Sequence, residues 1–162
     1  MKRKQHSFFI VLLTFTVFLL TNNPITRPFS LQMLLLSLLV FVIMIFLLKK
    51  KNIALVHSTK FHYLLIVTVL FLVGVTGWYF SPFFFTLYLL AIMLSFVFSS
   101  FVSCLFAITL AVLFSFNVGE VDLAYDILVI LSFLTVIPLS YYLRKEYVKL
   151  KNQQDKFSSR KF

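Results

Sequence analysis

Charged residues cut the chain into long uncharged stretches, and that pattern alone predicts most of its elements. The stretches run over 5–26, 28–48, 61–119 and 127–143. Sixteen of the eighteen residues in 31–48 are apolar. A helix that crosses a bilayer needs about 20 predominantly apolar residues. The first, second and fourth stretches therefore predict one span each, and the third, with 59 residues, predicts three. Within the third, Gly74, Gly77, Trp78 and Tyr79 precede Ser81-Pro82. Trp and Tyr favour the membrane interface, and proline disfavours helix at the residue before it, so a break is expected there. A softer break falls near Ser99-Ser100. The expected fold is all-α, a polytopic membrane protein with spans over 8–22, 31–48, 62–80, 83–99, 102–117 and 123–143. Residues 1–143 form the six-span domain and 144–162 a short basic cytoplasmic helical tail.

Composition agrees. Apolar residues make up 61% of the chain and charged residues 12%, with a mean hydropathy of +1.01. A water-soluble domain of 162 residues cannot hide that much apolar surface. Lys2, Arg3 and Lys4 precede the first apolar run as they would in a secretory signal. The run ends in Thr21-Asn22-Asn23-Pro24, without a small-residue cleavage pattern, so an uncleaved signal anchor is expected.

The basic residues give an independent test of topology. With the N-terminus inside and six spans, segments 1–7, 49–61 and 144–162 are cytoplasmic and hold 14 of the 15 Lys and Arg; Arg27 alone lies outside. This asymmetry follows the positive-inside rule. The expected location is the plasma membrane, with both termini cytoplasmic. The net charge of +10 then reflects orientation and attraction to anionic lipid rather than a nucleic-acid footprint.

Chemistry inside the membrane is sparse. The first five spans contain no Asp, Glu, Lys or Arg, the groups on which proton relays and ion sites usually depend. The single cysteine, Cys104, excludes a disulfide framework and reads as an inert thiol within an apolar run. His6, His57 and His62 fall in flanking segments and read as solvated interfacial side chains, not metal ligands. No phosphate loop, nucleophile motif or paired-carboxylate site is present, so no enzyme activity, cofactor or metal is expected. Asp126 follows Asp122 by four residues, which puts both on one face at the start of the sixth span. Two readings stay open there: favourable negative charge at a helix N-terminus, or an outward ligand contact that includes Glu120. The candidate outer-face ligand residues are Trp78, Tyr79, Ser81, Glu120, Asp122 and Asp126. Ser95, Ser99 and Ser103 recur every four residues across the expected turn, a weak small-residue signal.

Beyond the last span, Leu143, Tyr147, Leu150, Gln154 and Phe157 follow a 4-3-4-3 spacing, a coiled-coil seam with one polar member. No glycine or proline interrupts the passage into it, and Pro138 is expected to kink the span just before it. The seam suits a parallel homodimer or a membrane-protein partner; the competing reading is an amphipathic basic helix lying on anionic lipid. The candidate relay residues are Pro138, Leu143, Tyr147, Leu150 and Phe157.

The run Val75-Thr76-Gly77-Trp78-Tyr79-Phe80-Ser81-Pro82-Phe83-Phe84-Phe85, followed by Tyr88-Leu89-Leu90, resembles a segment of the multi-span input domains of bacterial sensor histidine kinases and related receptors. In those proteins a Thr-Gly-Gly-like turn and a Ser-Pro-Phe run separate two spans, and the last span feeds a linker helix. Trp78 departs from that pattern, standing where a second glycine is common. The 162 residues hold no kinase domain, phosphorylatable histidine motif or nucleotide site. The resemblance therefore implies a sensory or regulatory input module separate from the kinase. The alternatives are a small-solute transporter or its substrate-binding membrane subunit, and a structural subunit of a membrane complex.

Overall fold

The computed structural model describes the backbone of residues 2–50, 58–116 and 123–159, and side chains within 5–50, 58–116 and 124–154. The described residues form six α-helices: α1 Lys2–Asn22, α2 Ser30–Lys50, α3 Thr59–Val75, α4 Phe85–Val97, α5 Ser100–Ser115 and α6 Leu123–Ser159. Three segments are long and apolar enough to cross a membrane: Gln5–Asn22, Arg27–Lys50 and Ala124–Gln154. This supports a membrane protein. Helices α3, α4 and α5 are apolar but shorter, at 17, 13 and 16 residues. The chain divides into two compact units, Met1–Leu90 and Ala91–Phe162, with the boundary inside α4.

In the first unit, local chemistry sets the helix ends. Helix α1 stops one residue short of Asn23-Pro24, where the proline ring opposes helix at Asn23. The Asn23 side chain accepts from the Ile25 N–H at 2.9 Å, and Thr26 donates its hydroxyl back to the Leu20 carbonyl at 2.6 Å, covering an orphan acceptor at the end of α1. Ser58 caps α3 by accepting from the Phe61 N–H. That helix ends where Gly77 takes a left-handed φ of 104°.

Helices α1 and α3 run parallel. His6 hydrogen-bonds Tyr63, and Trp78, just past α3, donates to Thr21; each pair is 57 residues apart, and a constant difference is the mark of parallel packing. Helix α2 returns antiparallel and packs on α3, with Phe41 stacked on Phe61 at 5.1 Å. The close approach depends on Gly74, where an added Cβ would stand 2.8 Å from Thr21 Cγ2. Gly74→Val is therefore expected to destabilise the α1–α3 pair by about 1–3 kcal/mol, seen as a lower midpoint of unfolding in SDS titration followed by circular dichroism.

Two readings of single residues are corrected. His62 is not solvated but 5% exposed, because its Nδ1 turns back to the Ser58 carbonyl at 2.8 Å. His6 is half-buried against Tyr63, and His57 lies outside the described residues. Phe106, Phe114 and Phe133 are among the largest fully buried side chains.

In the second unit, α4 and α5 are antiparallel, with Ser103 of α5 donating to the Ala91 carbonyl of α4 at 2.6 Å. Helix α6 packs chiefly along α5. Phe114 and Phe133 stack near-parallel at 5.5 Å where these two helices meet. With 37 residues, α6 is about 55 Å long. It is unbroken through Pro138.

Candidate functional site

A side-chain network in the second unit lies where α4 turns into α5 beside α6. The turn is made by Ser99, extended at φ −169° and ψ 158°, whose hydroxyl accepts from the Val102 N–H at 3.3 Å and starts α5. One turn earlier, Ser95 donates its hydroxyl to the Ser140 carbonyl of α6 at 3.0 Å. Having used its only proton there, Ser95 accepts from Ser100 at 3.2 Å. Arg144 of α6 reaches across and donates Nη1–H to the Ser95 carbonyl. A guanidinium is well placed there, at the negative C-terminal end of α4. Tyr147, one turn further, meets the Phe96 ring edge-on at 5.5 Å. Three helices are thus tied by serine, arginine and aromatic contacts at one level of α6. Pro138 lies half a turn before it and lacks the N–H that the Leu134 carbonyl would otherwise accept, the usual basis of a helix hinge.

The buried positions of α6 are Asp126, Val129, Phe133, Val136 and Ser140, spaced 3-4-3-4. Leu143, Tyr147, Leu150, Gln154 and Phe157 continue the same alternation without a stutter, so ten positions form one heptad seam. An ideal helix drifts about 20° per heptad against such a seam, so two heptads keep it on the same side. The upstream half is covered. The downstream half is exposed at Leu143, Tyr147 and Leu150, the last by 62%; Phe157 belongs to α6 by its backbone.

The candidate outer-face residues fare differently. Trp78, Tyr79 and Ser81 share one tight turn in the first unit and are all buried. Trp78 Nε1–H donates to Thr21 Oγ1 at 3.0 Å. Ser81 pairs with Thr76 at 2.6 Å and accepts from the Phe83 N–H at 3.1 Å. These polar groups are engaged within the protein and close the turn. Glu120 and Asp122 lie outside the described residues. Asp126 belongs to the second unit, fully buried in the first turn of α6. Among the described residues no three His, Cys, Asp or Glu side chains are grouped to hold a metal.

No known protein family, curated protein or solved structure matches the chain.

Sequence reasoning missed the fastening roles of Ser95, Ser100 and Arg144. The signal was there in part: Ser95, Ser99 and Ser103 recur at four-residue spacing around the turn. Arg144, counted only as a topology charge, is the first cation after the apolar part of α6.

Proposed function

We propose that the chain is a non-enzymatic multi-pass membrane module that relays a conformational change through α6 into its cytoplasmic helix. The observation that carries this reading is the single heptad seam of α6, packed in its upstream half and largely exposed downstream. The helix is continuous from Ser140 into the exposed half, so a shift of the packed half, hinged at Pro138, would be carried into the tail. The fastening of Arg144 and Tyr147 to α4 lies at the junction of the two halves.

In this reading the chain crosses the membrane six times with both termini cytoplasmic. The parallel course of α1 and α3 supports it, since their first turns carry Lys2, Arg3, Lys4 and Lys60, and α2 ends in Lys49 and Lys50 at the same end. The shorter helices would complete their crossings with flanking turns, such as the 3-10 turn Trp78–Phe80 before α4. A transporter of polar solutes needs convergent polar groups in a pocket. The furrow between α1 and α3 is instead walled by apolar side chains.

The coupling is tested by cutting it. Arg144→Met removes a charged hydrogen bond of a kind that contributes about 1.5–3 kcal/mol. A spin label at Gln154→Cys, in a Cys104→Ser background reconstituted in vesicles, is expected to change its mobility when Arg144→Met is added. An unchanged spectrum would mean that the tail does not sense the fastening, and the structural-subunit reading would take its place.

A further inference from the structure

We propose that the furrow between α1 and α3 binds one acyl chain of an anionic phospholipid, with the headgroup held at the basic end of the first unit. The furrow has a volume of about 320 Å³, at the lower end of the range for small-molecule sites. Leu12, Leu13, Thr16 and Leu20 of α1 face Val67 and Phe71 of α3 across it. Thr16 carries the one hydroxyl in this lining, and it donates to the Leu12 carbonyl at 2.8 Å. The wall is therefore apolar throughout, suited to a hydrocarbon chain and unsuited to a polar solute.

Charge selects the headgroup. Residues 1–90 contain eight Lys and Arg and no Asp or Glu. Because α1 and α3 are parallel and α2 returns antiparallel along α3, Lys2, Arg3, Lys4, Lys49, Lys50 and Lys60 occupy helix positions at one end. Phe9 lines the furrow at that same end, edge-on to Tyr63 at 4.8 Å, with the His6–Tyr63 hydrogen bond beside it. A chain lying in the furrow thus brings its headgroup to the end where Lys49, Lys50 and Lys60 stand, in a unit whose sequence holds no Asp or Glu. A zwitterionic headgroup gains less there.

Trp78 is the only tryptophan and serves as a built-in reporter at the far end, where it packs on Phe18 at 5.0 Å and bonds Thr21. The full chain is reconstituted in phosphatidylcholine vesicles, and its fluorescence is followed against increasing mole fractions of dibrominated phosphatidylglycerol or dibrominated phosphatidylcholine. The expected result is quenching by the anionic lipid at a severalfold lower mole fraction. Thr16→Phe, at an exposed position that fills the furrow, is expected to abolish that preference. The double variant Lys4→Gln and Lys60→Gln should weaken it and leave quenching by dibrominated phosphatidylcholine unchanged. Equal quenching by both lipids overturns the proposal. So does a preference that survives Thr16→Phe, or quenching that falls as protein density in the vesicle rises, which would assign the furrow to a second copy.

Discussion

Trp78→Ala is expected to destabilise the first unit by about 3–5 kcal/mol, the range for removing a buried tryptophan. The ring is 4% exposed and lies 5.0 Å from Phe18. Its Nε1–H donates to Thr21, so one side chain beyond the end of α3 grips α1 twice. The backbone is held against its own preference: Trp78 has φ +50° and follows Gly77 at φ +104°. A left-handed non-glycine residue costs about 1–2 kcal/mol, tolerated here because the ring fits. Alanine keeps that cost and loses the ring. Trp78→Phe keeps a ring and loses the donor, an expected loss of about 1 kcal/mol plus any packing difference. Trp78→Gly loses the ring but relieves the backbone, and should be less damaging than alanine. SDS titration followed by circular dichroism gives this ordering. An alanine variant within about 1 kcal/mol of the parent, well under the range for a buried tryptophan, would refute the grip.

Phe133→Ala should have a comparable effect on the second unit, about 3 kcal/mol. Phe133 and Phe114 are fully buried and stack with an interplanar angle of 18°. In a bilayer the loss is not hydrophobic in the ordinary sense, because lipid tails are as apolar as the side chains they replace. What is lost is contact: a buried side chain makes tens of weak dispersion contacts, and a void leaves its lining without partners. Phe133→Leu keeps much of the volume and is expected to cost about 1 kcal/mol. The matched control is Leu128→Ala, exposed by 64% on the same helix. If Phe133→Ala costs no more than this control, the α5–α6 interface is not the one described.

The difference between these two sites shows what the sequence makes visible. The turn around Trp78 was legible, because Gly77, Ser81 and Pro82 break helix for local reasons. Its grip on Thr21 was not, since nothing local marks a partner 57 residues away. The exposed half of the α6 seam was legible because water makes polar residues fill the other faces. In the upstream half the pattern disappears. Ile127, Leu128, Val129, Ile130 and Leu131 are all apolar, yet of these only Val129 is buried. A lipid-facing surface and a protein-facing surface ask for the same residues, so periodicity carries no facing information there. Only Asp126 and Ser140, polar and buried on the seam, hint at which side is inward. The same loss of contrast hid the serine fastening, since Ser95 and Ser100 differ from other membrane serines only in what lies opposite them.

Cysteine cross-linking along the tail in native membranes tests the relay most directly. Cys104 is replaced by serine, and single cysteines are placed in turn over 143–157. Cross-links are expected to peak at Leu143, Tyr147, Leu150 and Phe157, the profile of a parallel helical pair whose exposed seams meet. A flat, weak profile would contradict the relay and leave the tail lying alone on the lipid surface.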